Sequence, residues 1–416
     1  MNKKNWLIEH KARNLRLKVS VPRAFGTANF IRRSQPLFFF LVFFFVLNLI
    51  VVSPTSGQMQ DKGSRPKVKS YSKSLFDDRP IIKEKETMPV LVNEAVNVGA
   101  AKGPQLSSTI FFRWQKFTAN GTVPNNFDID RAYIDLKDKL DGGAVARLTL
   151  DAARISGITR QNLFDFLKYA YVELPLSLTK LGVVPFTMSA KLGLQQTIWI
   201  DWAEKRLNLR YIAKTLVDNE GVMPSSDFGA GVGGRFTLGK LPEIEYQALI
   251  LNGQGFATSE VDSNKAISLR FNSDIYETDK SKISIGVFAN SESASGSVGN
   301  PNSQFGIGVG VVNYTFNTYL EYLAGAKSDK NINGYSLGAT LGLNAFNKVL
   351  KGLSVFARCD NYNPDTSASG NLRIKSFYGV TYDWSRDVKL ALDMQNARVG
   401  DGATTSALYV HTLIQL

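Results

Sequence analysis

The sequence predicts an all-β fold: a transmembrane antiparallel β-barrel of about 16 strands that follows a cleaved N-terminal signal segment. Three observations predict it. Short segments of alternating apolar and polar residues recur to the C-terminus, their connections alternate between short and long, and charged residues stand at mid-strand on the face opposite the apolar one. A soluble sandwich would explain the first observation but neither of the others.

The clearest unit is the hairpin from Phe127 to Arg154, in which two alternating segments meet at a tight turn over residues 141–143. Its first strand places Ala132, Ile134 and Leu136 on one face and Arg131, Tyr133 and Asp135 on the other. The same alternation puts Asp128 and Asp130 at lipid-side parity near the end of the strand, where we expect an outer-rim or loop position and not a catalytic carboxylate pair. One such hairpin fits a sandwich as well as a barrel, so the rest of the chain has to decide.

The first 57 residues are typical of a secretory signal. The run from Leu37 to Val52 is apolar except for Asn48, it follows two arginines, and small residues come after it. A single membrane-spanning anchor helix is the alternative, although the run is shorter than the about 20 residues that spanning requires. This segment holds a net charge of +8, so only +5 of the total of +13 remains on the mature chain, and nucleic-acid binding is not expected.

Residues 58–105 are polar, rich in lysine and without sustained periodicity, so we expect a periplasmic extension or linker there. Residues 106–416 form the predicted barrel domain. Its sixteen strand candidates are Ile110–Phe117, Phe127–Lys139, Ala144–Arg154, Phe166–Leu174, Pro185–Leu194, Phe228–Leu238, Ile244–Leu251, Lys265–Phe271, Lys282–Asn290, Gln304–Val312, Tyr314–Ala326, Gly334–Leu343, Gly352–Tyr362, Leu372–Trp384, Asp387–Ala397 and Thr405–Leu416.

The charged residues at mid-strand favour a barrel with a water-filled interior. A lipid-facing Arg or Lys costs about 2 to 4 kcal/mol at the membrane midplane, so these side chains have to point inward. Outward positions instead include aromatic residues near strand ends, as a membrane girdle requires. The predicted pore-lining cations are Arg113, Arg131, Arg147, Lys191, Arg235, Arg270 and Arg358.

The third outer connection, residues 195–227, is the longest and is too apolar for a loop in solvent. Folded into the lumen, it would pack its apolar side on the wall and present charges at a constriction, where they would select ions. Capping the mouth or packing on a neighbouring subunit is the alternative. The predicted constriction residues are Trp199, Asp201, Trp202, Glu204, Lys205, Arg206, Arg210 and Lys214.

The sequence contains few residues of the types that usually act in catalysis or bind metals. Cys359 is the single cysteine, and the two histidines are His10, in the leader, and His411, in the last strand. A catalytic triad or a thiolate metal cluster is therefore not expected, and we predict no enzymatic activity, no metal site and no cofactor.

Several stretches resemble the porins grouped with the phosphate-selective porins O and P. They are FDIDRAYIDLKDKL followed by RLTLDA, then LKYAYVELPL, KLGLQQTIWIDWAEK and YQALILNGQGF, and the resemblance covers roughly residues 106–416. It implies a sixteen-stranded barrel, usually a homotrimer, that passes small solutes passively. The arginine ladder of the phosphate-specific members has no residue-by-residue match here, so their specificity is not implied.

The sequence thus predicts a porin in the outer membrane of a Gram-negative cell, in contact with its lipid and permeable to small hydrophilic solutes and ions. The basic inward positions favour a mild preference for anions, phosphate included. The alternative function is a structural or surface-binding barrel whose lumen is plugged.

Overall fold

A computed structural model describes residues 103–119, 125–154, 163–177, 180–182, 184–260, 263–292, 302–313 and 315–416. The predicted signal segment and almost all of the predicted extension lie outside the described residues. So do parts of four outer loops.

The described residues form one antiparallel sheet that closes on itself. The strands are β1 Gln105–Ala119, β2 Asn126–Lys139, β3 Val145–Arg154, β4 Leu163–Leu176, β5 Lys180–Leu181, β6 Val184–Gln196, β7 Ser226–Phe236, β8 Ile244–Leu251, β9 Ala266–Glu277, β10 Ser281–Glu292, β11 Asn302–Asn313, β12 Phe316–Lys327, β13 Lys330–Gly342, β14 Leu353–Asn363, β15 Arg373–Asp383, β16 Val388–Val399 and β17 Thr405–Gln415. Each strand pairs with its neighbour in sequence, except that β5 is a two-residue strand beside β6 and β4 pairs directly with β6. Sixteen strands therefore form the wall of the described barrel, as the sequence predicts.

Closure comes from the pairing of β1 with β17, in which Arg113 lies opposite His411. Two backbone hydrogen bonds between Ser108 and Leu416, of 3.0 and 2.9 Å, extend this seam to the last residue. A closed sheet leaves no unpaired edge, which is the condition for strands to stand in hydrocarbon.

The outer surface of the barrel is apolar. Outward positions at mid-strand hold exposed aliphatic and aromatic side chains such as Ile134, Leu150 and Phe271. Aromatic pairs stand near strand ends, with ring centroids 6.0 Å apart for Phe112 and Phe127 and 6.2 Å for Tyr382 and Trp384. An apolar band with aromatic girdles on a closed barrel is the architecture of the Gram-negative outer membrane, where the chain is located.

Two connections are shorter than the sequence predicts. Strand β9 continues to Glu277 and leaves only residues 278–280 for a turn expected over 272–281. Strand β13 begins at Lys330, so the outer loop expected over 327–333 is a two-residue hairpin in which Ser328 and Asp329 both have positive φ, 51° and 64°. That conformation matches the twist of the flanking strands. The hydrogen bonds between β12 and β13 therefore continue up to the turn, through residues that are not typical of strands.

Within the described residues, no helix is both long and apolar enough to cross a membrane.

Candidate functional site: the lumen and its inward-folded loop

Loop 3, residues 197–225 between β6 and β7, lies inside the barrel. It contains helix α1, Ile200–Leu207, and helix α2, Leu216–Asn219. Helix α1 has an acidic residue in its first turn and two basic residues in its last, which complement the helix dipole, and it ends at Asn208 in the left-handed conformation (φ 54°). Its apolar side chains, together with Trp199, Leu209 and Ile212, are buried and belong to the main apolar cluster of the described chain.

One side of α1 packs on the wall formed by β10 to β13. Trp199 Nε1 donates a hydrogen bond of 2.5 Å to Glu321 Oε1 on β12. Its ring stacks on Trp202 at 4.6 Å and contacts Phe288 at the same centroid distance. The apolar half of the loop therefore lies against protein, and its polar half is left to face the remaining lumen.

The opposite side of α1 is acidic and faces β1 to β6. The Glu204 carboxylate forms an ion pair with Arg210, with 2.8 Å between Oε1 and Nε. Arg210 in turn lies 3.9 Å from Asp130, donates to the Tyr133 hydroxyl at 3.3 Å and stands over the Phe111 ring. Loop 3 thus spans the lumen, from its apolar contacts on β10 to β13 to a polar contact on β1 and β2.

Burial shifts the pKa values of several charged side chains in loop 3. Burial raises the pKa of Glu204 to about 7, although Arg210 opposes the shift. Burial also raises the pKa of Asp201, against the attraction of Arg147. On the apolar side, burial lowers the pKa of Arg206 to about 10. Glu204 on the acidic side of α1 therefore changes charge close to neutral pH.

The wall that faces this acidic side carries paired charges. Arg131 contacts Asp151 at 2.6 Å, and Arg147 contacts Asp135 at 2.7 Å. The remaining pairs are Lys191 with Glu173 at 3.5 Å, Lys168 with Asp151 at 3.9 Å, and Arg113 with Asp130 at 3.1 Å and Asp128 at 3.9 Å. These ion pairs join five cations to five carboxylates among the described residues, so this part of the wall is polar but nearly neutral.

The lipid-side parity that the sequence gives Asp128 and Asp130 is wrong, because both lie in β2 with their carboxylates beside Arg113. Strand β2 has a β-bulge: Phe111 of β1 pairs with Arg131 while Phe112 pairs with Ile129, which leaves Asp130 as the extra residue. A bulge shifts the alternation by one, so Asp128 lies opposite Arg113 and faces inward.

A second bulge explains why Lys168 is not among the predicted pore residues. It interrupts the pairing of β3 with β4 at Thr149 and Leu150 and leaves Lys168 as the extra residue, buried beside Tyr169. Its ammonium group lies 4.6 Å from the centre of the Tyr133 ring. Glu321 and Tyr133 are not among the predicted site residues either, although their alternation places them inward, where the structure has them.

The other predicted wall residues lie in different surroundings. Arg235 pairs with Glu243 of a periplasmic turn at 2.9 Å. Arg270 is covered by loop 3, since it donates to the Ile198 carbonyl at 2.6 Å and to Glu245. Arg358 is buried behind the loop and pairs with Asp360 at 2.6 Å. All three point inward, but only the first stands away from loop 3.

The predicted constriction residues of loop 3 also lie in different surroundings. Trp199 and Trp202 are buried against the wall, and Arg206 stacks over the Trp202 ring at 4.0 Å. Asp201, Lys205 and Lys214 are half-buried on the remaining sides, and Lys214 pairs with Asp218 at 3.0 Å. Below the loop, a cavity of about 360 Å³ opens towards the periplasmic turns, and Lys348 and Lys351 are among its lining residues.

Comparison with known proteins supports the fold. OprB of Pseudomonas putida, in a high-pH structure, matches with a TM-score of 0.53 and 9% identity over 76% of this chain and 94% of that chain. The anion-selective porin from Comamonas acidovorans matches with a TM-score of 0.50 and 12% identity over 76% and 99%. The described barrel therefore has the fold of outer-membrane porins. No protein-family model matches the sequence, and no curated protein is significantly similar to it.

Proposed function

We propose that this protein is an outer-membrane porin, a passive channel for small hydrophilic solutes and ions. The observation that supports this most is the position of loop 3, which places an acidic helix face opposite a wall of arginines and lysines inside a closed barrel. Charges at a narrow passage act on ions through their field, which is strongest where water is scarce.

The proposed selectivity is a mild preference for anions, phosphate included. It is mild because the cations of the facing wall are all paired, and because loop 3 carries four basic residues against four acidic ones. The preference comes from the periplasmic cavity, where Lys348 and Lys351 have no carboxylate partner among the described residues. Homotrimeric assembly and a closer relation to the phosphate-selective porins are part of the same proposal and follow from the sequence resemblance.

Reconstitution of the mature chain in planar bilayers tests the proposal. We expect stepwise conductance and, across a tenfold KCl gradient, a reversal potential on the anion side but far from the ideal anion value. A reversal potential on the cation side would reject the anion preference and leave the porin assignment standing.

The second candidate function is a barrel with a plugged lumen that acts as a structural or surface-binding protein. One observation favours it: Arg147, Lys168 and Lys191 face the loop and are only 5 to 8% exposed, so water has little access to them in this conformation. Folded protein that shows no conductance in repeated bilayer insertions would support this function over a channel.

A further inference from the structure

The wall beneath helix α1 carries a row of glycines, which we call the loop seat: Gly286 on β10, Gly308 and Gly310 on β11, and Gly338 on β13. A Cβ atom on Gly308 would lie 2.7 Å from the Trp202 ring and 3.0 Å from the Trp199 ring. A Cβ on Gly286 would meet Trp202 at 2.6 Å. These distances are too short for any side chain, so the seat accepts the loop only because it is made of glycine.

Glu321 lies within the loop seat. On its strand it pairs with Gly308 on one side and Ser336 on the other, and its carboxylate is completely buried. Oε1 accepts the hydrogen bond of Trp199, and Oε2 has no hydrogen-bond partner in the described chain. A buried carboxylate is costly unless it is well bonded, and its single hydrogen bond holds loop 3.

The far end of loop 3 has a separate attachment. Glu220 forms ion pairs with two residues of β15, Arg373 at 2.9 Å and Lys375 at 2.7 Å. Lys327 donates to the Gly221 carbonyl. Because this attachment is independent of the loop seat, losing the bond at Glu321 would weaken the hold of the wall on α1 while the loop as a whole stays in the barrel.

We propose that Glu321 is the positioning residue of loop 3: its hydrogen bond to Trp199 keeps α1 on the loop seat and thereby fixes the distance between the helix and the charged wall of β3 to β6. Moving α1 off the seat opens the β10 to β13 side and brings the acidic face of the helix closer to Arg147 and Lys191. The position of α1 therefore determines which charged groups a solute meets. This inference depends on the proposed function only for its electrical readout.

The test compares Glu321→Leu, which removes the acceptor, with Glu321→Gln, which keeps it. The control is Glu292→Leu, since Glu292 is a buried glutamate of β10, separated from β12 by β11, and its hydrogen bond goes to Asn302 and not to Trp199. Heat-modifiable gel migration first establishes that each variant is a folded barrel. Limited trypsin digestion in detergent then measures cleavage at the basic residues 205, 206, 210 and 214 of loop 3.

We expect Glu321→Leu to be cleaved in loop 3 about tenfold faster than the wild type, which corresponds to the loss of one hydrogen bond of ordinary strength. Glu321→Gln and Glu292→Leu are expected to keep the wild-type rate. In bilayers, Glu321→Leu replaces steady conductance steps by fluctuation among several levels.

The inference is overturned if Glu321→Leu is cleaved at the wild-type rate, or if Glu321→Gln or Glu292→Leu is cleaved as fast as Glu321→Leu. Because digestion needs no current, it decides the matter even for a barrel that does not conduct. Absence of conductance in the wild type would count against the proposed function alone.

Discussion

The packing of loop 3 against the barrel wall should weaken as pH rises from 6 to 9, and Glu204 should be the main cause. Its carboxyl group has an ordinary pKa of 4.5 when the loop is released into water and a pKa of about 7 when α1 is packed in place. A group that binds its proton more tightly in the packed state stabilises that state most below pH 4.5, and this contribution is lost as pH rises through 7.

The magnitude follows from the size of this shift. A difference of about 2.5 pKa units corresponds to roughly 3 kcal/mol between the acidic and alkaline limits. Between pH 6 and pH 9 alone, the ratio of released to packed loop should rise about tenfold. The raised pKa of Asp201 acts in the same direction, whereas Asp218, whose pKa is lowered, titrates below this range. The side chain of Glu204 is 19% exposed, so solvent screening reduces the effect only moderately.

Trypsin cleavage in loop 3 measures this ratio, because cleavage of a transiently released segment follows the population of the released state. The variant Glu204→Gln keeps an oxygen acceptor for Arg210 but has no carboxyl group to ionise. Dividing the wild-type rate by the Glu204→Gln rate at each pH cancels the pH dependence of trypsin itself. We expect this quotient to rise about tenfold from pH 6 to pH 9. A flat quotient, or one that falls, would refute the assignment of the pH dependence to Glu204.

Three further predictions follow from the same structure. Gly308→Val should release α1, because its Cβ would overlap the Trp202 ring, and tryptophan fluorescence should shift to longer wavelength in a barrel that still migrates as folded. Arg147→Met leaves Asp135 unpaired in the lumen, so the reversal potential in a KCl gradient should move towards the cation side; no movement would show that this wall does not line the conducting path. Leu150→Lys should lower the free energy of unfolding in lipid vesicles by about 2 to 4 kcal/mol, whereas Leu140→Lys, in a periplasmic turn, should change it by less than about 1 kcal/mol; equal effects would contradict the lipid-facing assignment of Leu150.

The sequence predicted the fold in detail because a strand in a transmembrane barrel has only two environments. Side chains alternate between lipid and lumen, so a charged residue such as Arg147 and an apolar neighbour such as Leu148 report the two faces directly. The same rule failed at the two bulges. Nothing in the alternation around Asp128 or Lys168 distinguishes an extra residue from a regular one, since the bulge depends on how the neighbouring strand pairs.

The contacts inside the lumen were likewise predictable only in part. The unusual apolar content of residues 195–227 was sufficient to predict a loop that packs on protein, but not the surface that receives it. The loop seat consists of glycines from three strands, more than 50 residues apart between Gly286 and Gly338, and only the strand register brings them together. A glycine in a strand gives no local sign of the tryptophan that will cover it.

By itself, the amino-acid sequence determined the closed barrel, its strand number and which face of most strands meets lipid, because alternation and side-chain polarity are local properties. The tertiary structure alone decided which half of the lumen loop 3 covers, and which carboxylates pair with the basic wall. Those contacts join residues that are distant in the chain, and their geometry depends on register and bulges that no single segment encodes.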